Sequence, residues 1–105
     1  MKLLNIDYVP GKEIEALDIV KGTVVHTKNV GKDFMAAMKT LVGGELIGYT
    51  QMLNEARQIA MKRMVAEAES LGADAVINIR YGTSSVMAGA AEVIAYGTAV
   101  KFVEK

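Results

Sequence analysis

The 105-residue chain has no cysteine, no tryptophan, one proline and one histidine, His26. Without cysteine there is neither a disulfide framework nor a thiolate metal site. Charge of one sign is also lacking. Twelve Lys and Arg balance twelve Asp and Glu, with no block of either sign, whereas a general nucleic-acid grip needs clustered cations. No apolar run approaches the roughly 18 residues needed to span a bilayer. Met1-Lys2-Leu3-Leu4 passes at once to Asn5 and Asp7, unlike a signal peptide. The expected setting is the cytoplasm, with neither nucleic acid nor membrane as partner.

Apolar residues are plentiful, at 51% of the chain. A chain of this length is expected to form one domain spanning residues 1–105. Pro10-Gly11 reads as a turn, because proline fixes φ and glycine takes left-handed conformations. Glu13 to Thr27 is rich in β-branched residues with broken alternation, which predicts one long strand or two short ones, with a bulge or bend at Gly22. Asp33 is a candidate N-cap for a helix carrying Phe34, Met38, Leu41 and Val42 and stopped by Gly43-Gly44. A second helix is predicted over Gln51 to Leu71, with Thr50 as its cap and Gly72 as its stop. Its apolar stripe is Leu53, Ala56, Ala60, Met64, Ala68 and Leu71, widened by Ile59 and Met52.

Ala75 to Tyr81 alternates as a short strand with Ala75, Ile77, Ile79 and Tyr81 on one face. Gly82 to Ala90 reads as a small-residue loop. Ala91 to Val103 is a long final strand whose faces differ: Ile94, Tyr96, Thr98, Val100 and Phe102 on one, Val93, Ala95, Gly97, Ala99 and Lys101 on the other. The small side invites close approach by a helix or another backbone. The expected fold is therefore α+β, a small β-α-α-β-β subunit with long outer strands and a middle strand of about eight residues. Such a sheet would leave long apolar edges unpaired, which is hazardous unless they are covered. Pairing of sheet edges between subunits into a closed ring resolves this.

Five stretches in order resemble the YbjQ-like family: Asn29-Val30-Gly31-Lys32-Asp33-Phe34; Val42-Gly43-Gly44-Glu45 with Gly48-Tyr49-Thr50; Glu55-Ala56-Arg57; Gly72-Ala73-Asp74-Ala75-Val76; and Ala95-Tyr96-Gly97-Thr98-Ala99-Val100. The likeness runs from about Pro10 to Val103. It implies a small α+β subunit of a homopentamer, in a group labelled for heavy-metal binding whose function is not established. A divalent metal ion is the cofactor that the resemblance suggests.

The residues themselves give metal chemistry little purchase. A zinc or copper site needs several converging Cys, His or carboxylate ligands. Only a ring could gather copies of His26 or of methionine sulfurs. Met38, Met61 and Met64 sit at helical core spacing, where filling gaps is their ordinary task. For catalysis, Ser84-Ser85 lacks a base near it in sequence, and Asp74 and Glu45 are unaccompanied carboxylates. Gly82-Thr83-Ser84-Ser85 with Gly89 offers a loose anion nest without a lysine or a following helix.

Polar residues on structural elements are more informative. Arg57 and Asp74 lie at opposite ends of the second helix, some 20 Å or more apart at about 1.5 Å per residue. They pair only across an interface, which makes Arg57 a candidate intersubunit anchor. Tyr49, at the helix entrance, places a ring in the core and a hydroxyl at the rim. The reading is a homo-oligomeric, pentameric binding or scaffold protein whose ligand lies between subunits, near Glu45, Tyr49, Arg57 and Asp74. The alternatives are a metal-binding protein whose site, through His26, arises only on assembly, and an enzyme of unknown reaction.

Overall fold

A computed structural model describes residues 1–26, 47–87 and 90–104. Their elements are strand β1 (Lys2–Leu3), strand β2 (Glu13–His26), helix α1 (Ile47–Ser70), strand β3 (Ala75–Met87) and strand β4 (Ala90–Val103). They make an α+β fold: one mixed sheet in the order β1-β3-β4-β2, with α1 packed on one face. β1 runs parallel to β3, and β4 pairs antiparallel with β3 on one side and β2 on the other. The helix expected from Asp33 to Val42 lies outside the described residues.

Pro10-Gly11 forms the expected turn. Lys12 N–H donates to Val9 O (3.1 Å) around a Gly11 with φ of 74°, the left-handed position of a type II turn. α1 ends as Gly72 predicts. Ala73 N–H reaches Ala68 O (3.1 Å) and Gly72 N–H reaches Glu69 O (3.0 Å), a Schellman closure with Gly72 at φ 76°. Thr50 lies inside α1 rather than capping it, since the helix includes Ile47 onward.

Ala56, Ala60, Met64 and Ala68 are buried to the last atom, as the stripe predicts, with Leu53 packed beside them. They meet Val20, Val76, Ile79, Val93, Ala95 and Ala99 of the sheet. Leu71 and Ile59 are exposed instead, because the sheet spans only the width of the alanine seam. Gly22 proves to be a contact point rather than a bulge. A Cβ there would lie 2.1 Å from Ala60 O and 2.4 Å from Met64 N. The bulge in β2 falls at Leu17, between Ala16 and Asp18.

β3 departs most from expectation. It runs 13 residues to Met87, so Gly82–Ser85 is strand, not loop, and the anion-nest reading is replaced. Gly82 fits because its missing Cβ would lie only 3.0 Å from Ile94 Cγ2 across the sheet. The alternation also breaks. Register shifts between Ile77 and Arg80, and Asn78 takes φ of 54°, a left-handed position that asparagine tolerates. Ala75 and Ile77 therefore face away from α1, while Ile79 joins the core beneath it.

Among the described residues, the second face is half covered. An N-terminal arm, residues 1–12, lies against its first half and packs Val9 and Leu4 onto Ala75, Ile77, Val100, Ile14 and Phe102. The arm is held at the bulge: Asn78 N–H donates to Ile6 O (2.9 Å) and Ile79 N–H to Leu4 O (3.1 Å). With β3 full length, β4 is paired along both sides. The expected surplus of unpaired strand is thus confined to the outer edges of β2 and β3. The middle of the β2 edge is already occupied, by Arg63 Nη1 donating to Thr23 O (2.5 Å) and Ile19 N–H donating to Asp18 Oδ1 (2.8 Å).

Gly22→Ala should lower unfolding stability by about 3 kcal/mol, the upper range for an overpacked core, since its Cβ meets backbone that cannot yield. Gly72→Ala, with open space but positive φ, should cost about 1 kcal/mol. Urea denaturation compares the two, and equal losses would contradict the seam.

Candidate functional site

Asp74, between α1 and β3, is bound into the sheet. Its Oδ2 accepts Phe102 N–H (2.8 Å), its own N–H donates to Val100 O (2.9 Å), and its carbonyl accepts Lys2 N–H (3.4 Å). One short residue thus joins the helix exit, the end of β4 and the start of the arm. Lys101 Nζ beside it donates to Gly72 O (3.1 Å), adding a cation at the helix C-terminus, where the dipole favours one. Asparagine or serine would reach the same backbone donor less strongly, because hydrogen bonds to charged acceptors are worth more.

Arg57 is half-buried on α1, and its Nη1 donates to Asn54 Oδ1 one turn back (2.9 Å). It stands 17 residues before Asp74, about 25 Å along a helix axis, so the two do not meet in one subunit. Tyr49 falls in the first turns of α1. Its side chain, like that of His26 at the end of β2, lies outside the described residues, and so does Glu45 altogether. The four candidate ligand positions are therefore not brought together within the described part of the chain.

The structure adds a groove that the sequence reading missed. It lies where the arm leaves β3, with a volume of about 610 Å³, and is lined by Leu3, Leu4, Asn5, Met61, Ile79, Arg80 and Tyr81. Arg80 Nη1 leans over it, donating to Asn5 O (3.3 Å) and Ile79 O (3.4 Å), both long contacts. The sequence signal was Asn78: an asparagine breaking a run of alternating apolar residues marks a bulge, and a bulge re-aims its neighbours.

A metal centre is not among these features. The described residues contain no cluster of three or more His, Cys, Asp or Glu side chains close enough to share an ion. Asp74 already spends one oxygen on the Phe102 N–H. No described helix is long and apolar enough to cross a membrane.

A family model named YbjQ, described as "putative heavy-metal-binding", matches residues 1–103. The chain belongs to the YbjQ family. A UPF0145 protein of Clostridium novyi is 66% identical over 96% of this chain and 98% of that one. A UPF0145 protein of Alkaliphilus metalliredigens is 62% identical over 98% of this chain and all of that one, and one of Thermotoga maritima is 57% identical over 96% of each. Among solved structures, a protein of unknown function from Pediococcus pentosaceus, placed in the DUF74 family, shares the fold with a TM-score of 0.70. It is 18% identical and covers 98% of both chains. The metal description of the YbjQ family does not fit the donor set found here. Cysteine is absent, histidine occurs once, and the described residues hold no group of three or more His, Asp or Glu side chains that could share an ion.

Asp74→Ala should cost about 2 kcal/mol by leaving the Phe102 N–H without its charged acceptor, while Asp74→Asn, which keeps a carbonyl there, should cost about half as much. Guanidinium unfolding of both variants measures this. An alanine variant as stable as the parent would mean that the carboxylate is not structural.

Proposed function

We propose that the protein is a subunit of a closed homo-oligomeric ring, pentameric and cytoplasmic, which binds a ligand between subunits rather than catalysing a reaction. The observation that carries this is the uncovered surface of the chain. It exposes 7085 Å², against about 5,700 Å² expected of a compact monomer of its mass. It is long and thin, 59 × 24 × 17 Å, with a radius of gyration of 17.1 Å where about 13 Å is usual for its length. Large apolar side chains stand in water on the arm and the open half of the sheet, with Tyr8 56% and Ile19 71% exposed. Contiguous apolar surface of this kind marks interaction sites.

Subunits would meet through that sheet half-face and through the outer edge of β3 beyond β1. The middle of β2's outer edge is already occupied by Arg63 and Asp18. Glu45, Tyr49, Arg57 and Asp74 remain the proposed interface positions, with Arg57 as anchor, since its guanidinium makes one hydrogen bond among the described residues and has further donors to offer. The metal reading requires several copies of His26 drawn together by the ring. It rests on the family description alone.

Native mass spectrometry should find five copies, and Arg57→Glu should shift the population toward smaller species. A single well-folded chain at micromolar concentration would refute the ring. Calorimetric titration of the assembled protein with zinc and copper(II) should give no binding heat, and a stoichiometric heat lost in His26→Ala would establish the metal reading in its place.

A further inference from the structure

We propose that the groove between the arm, β3 and α1 binds a small aliphatic carboxylate, its chain on Leu3, Met61 and Ile79 and its head on Arg80. The groove exists because α1 is set to one side of the sheet. The helix packs mainly over β2 and β4, so the β3 margin on the same face stays partly open. Residues in register on neighbouring strands share a face. Leu3 opposes Val76 and Tyr81 opposes Ala95, and both partners lie in the core beneath α1. Leu3, Ile79 and Tyr81 therefore line the α1 side of the sheet, with Met61 on the helix beside them. This is the reverse of the half-face through which subunits would meet. Leu3 is 39% and Tyr81 48% exposed, so the floor is open to a ligand. A volume of about 610 Å³ falls in the range usual for small-molecule sites.

The head group follows from Arg80. It opposes Tyr96 and so starts from the far face, but its guanidinium bends back to the outer edge of β3. Ile79 N–H bonds Leu4 O on the arm, and the N–H and C=O of a strand residue point the same way, which puts Ile79 O on that edge. Arg80 Nη1 donates there to Ile79 O (3.4 Å) and to Asn5 O (3.3 Å), both long for such bonds. Its other nitrogens have no partner, and it makes no ion pair, among the described residues. A guanidinium so placed offers a carboxylate two parallel donors, in bonds shorter and stronger than those it makes now. One cation lines the groove, which suits a singly charged head. The tail follows from Leu3, Leu4, Met61 and Ile79, whose aliphatic surface favours a flexible hydrocarbon, with the methionine adapting to its shape. All these residues belong to one subunit. The site is thus separate from the proposed intersubunit positions, and either can fail without the other.

The probe is octanoate, titrated at low salt into the full chain carrying ¹³C-labelled methionine methyls and followed by NMR. The Met61 methyl should shift saturably, while that of Met64, buried under α1, should stay in place. Octan-1-ol, the same chain without the charge, should bind about fivefold more weakly. Arg80→Gln should weaken octanoate about fivefold and leave octan-1-ol unchanged. Leu3→Ser should weaken both, and Lys21→Gln, which removes a cation from the other face, should weaken neither. Circular dichroism and native mass of each variant confirm fold and assembly. A Met61 methyl that does not move, or octanoate affinity in Arg80→Gln equal to the parent's, would overturn the site. A Met61 shift that vanishes as concentration drives assembly would overturn it too, by showing that a second copy fills the groove.

Discussion

Everything in this fold depends on how closely α1 can approach β2 and β4. The contact is backbone against backbone at Gly22, where no Cβ fits between the strand and the Ala60–Met64 turn of the helix. Around it the helix supplies Ala56, Ala60 and Ala68, and the sheet supplies Ala95 and Ala99. Small residues on both sides close the gap between layers and bring many weakly attractive atoms into range at once. They also bury little area apiece. Met64, Val20, Val76 and Val93 are the larger side chains at the centre of that layer, each worth about 2 kcal/mol of transfer. The close seam sets the geometry, and a modest interior is its consequence.

That economy explains the rest of the architecture. The face away from α1 has its own small core, Val9, Ala75, Ile77 and Val100, roofed by the arm rather than by a second helix. The roof stops at the Asn78 bulge, where the arm's last bonds to β3 are made. Beyond it no described residue covers the sheet, which carries Ile19, Tyr96, Lys21 and Arg80. The described apolar residues thus divide between two thin cores and an exposed half-face.

Elements governed by local chemistry were legible in the sequence. Pro10-Gly11, Gly72, the stripe of α1 and the two-sided character of β4 follow from φ preferences and periodicity. β3 was not, because two rules pointed the wrong way. Gly82-Thr83-Ser84-Ser85 has loop composition, yet pairing with a full-length β4 holds it extended. Ala75 to Tyr81 alternates cleanly, yet Asn78 inserts an extra residue and turns Ile79 to the other side. Gly22 was noticed and given the wrong task, since a strand glycine signals a bulge or a close contact equally well. Of the site residues, Asp74 was singled out for its position, but its bond to Phe102 is a tertiary fact.

The plugs on β2 have a wider meaning. Arg63 and Asp18 occupy the middle of one margin of the sheet, while the far half of β3 keeps its main-chain groups available among the described residues. Fibril growth by strand stacking needs a receptive rim at both ends of every unit. A sheet with one rim obstructed at its middle pairs less readily on that side than on the other. The guanidinium that reaches down from the helix to a single carbonyl thereby makes that rim less receptive to a further strand.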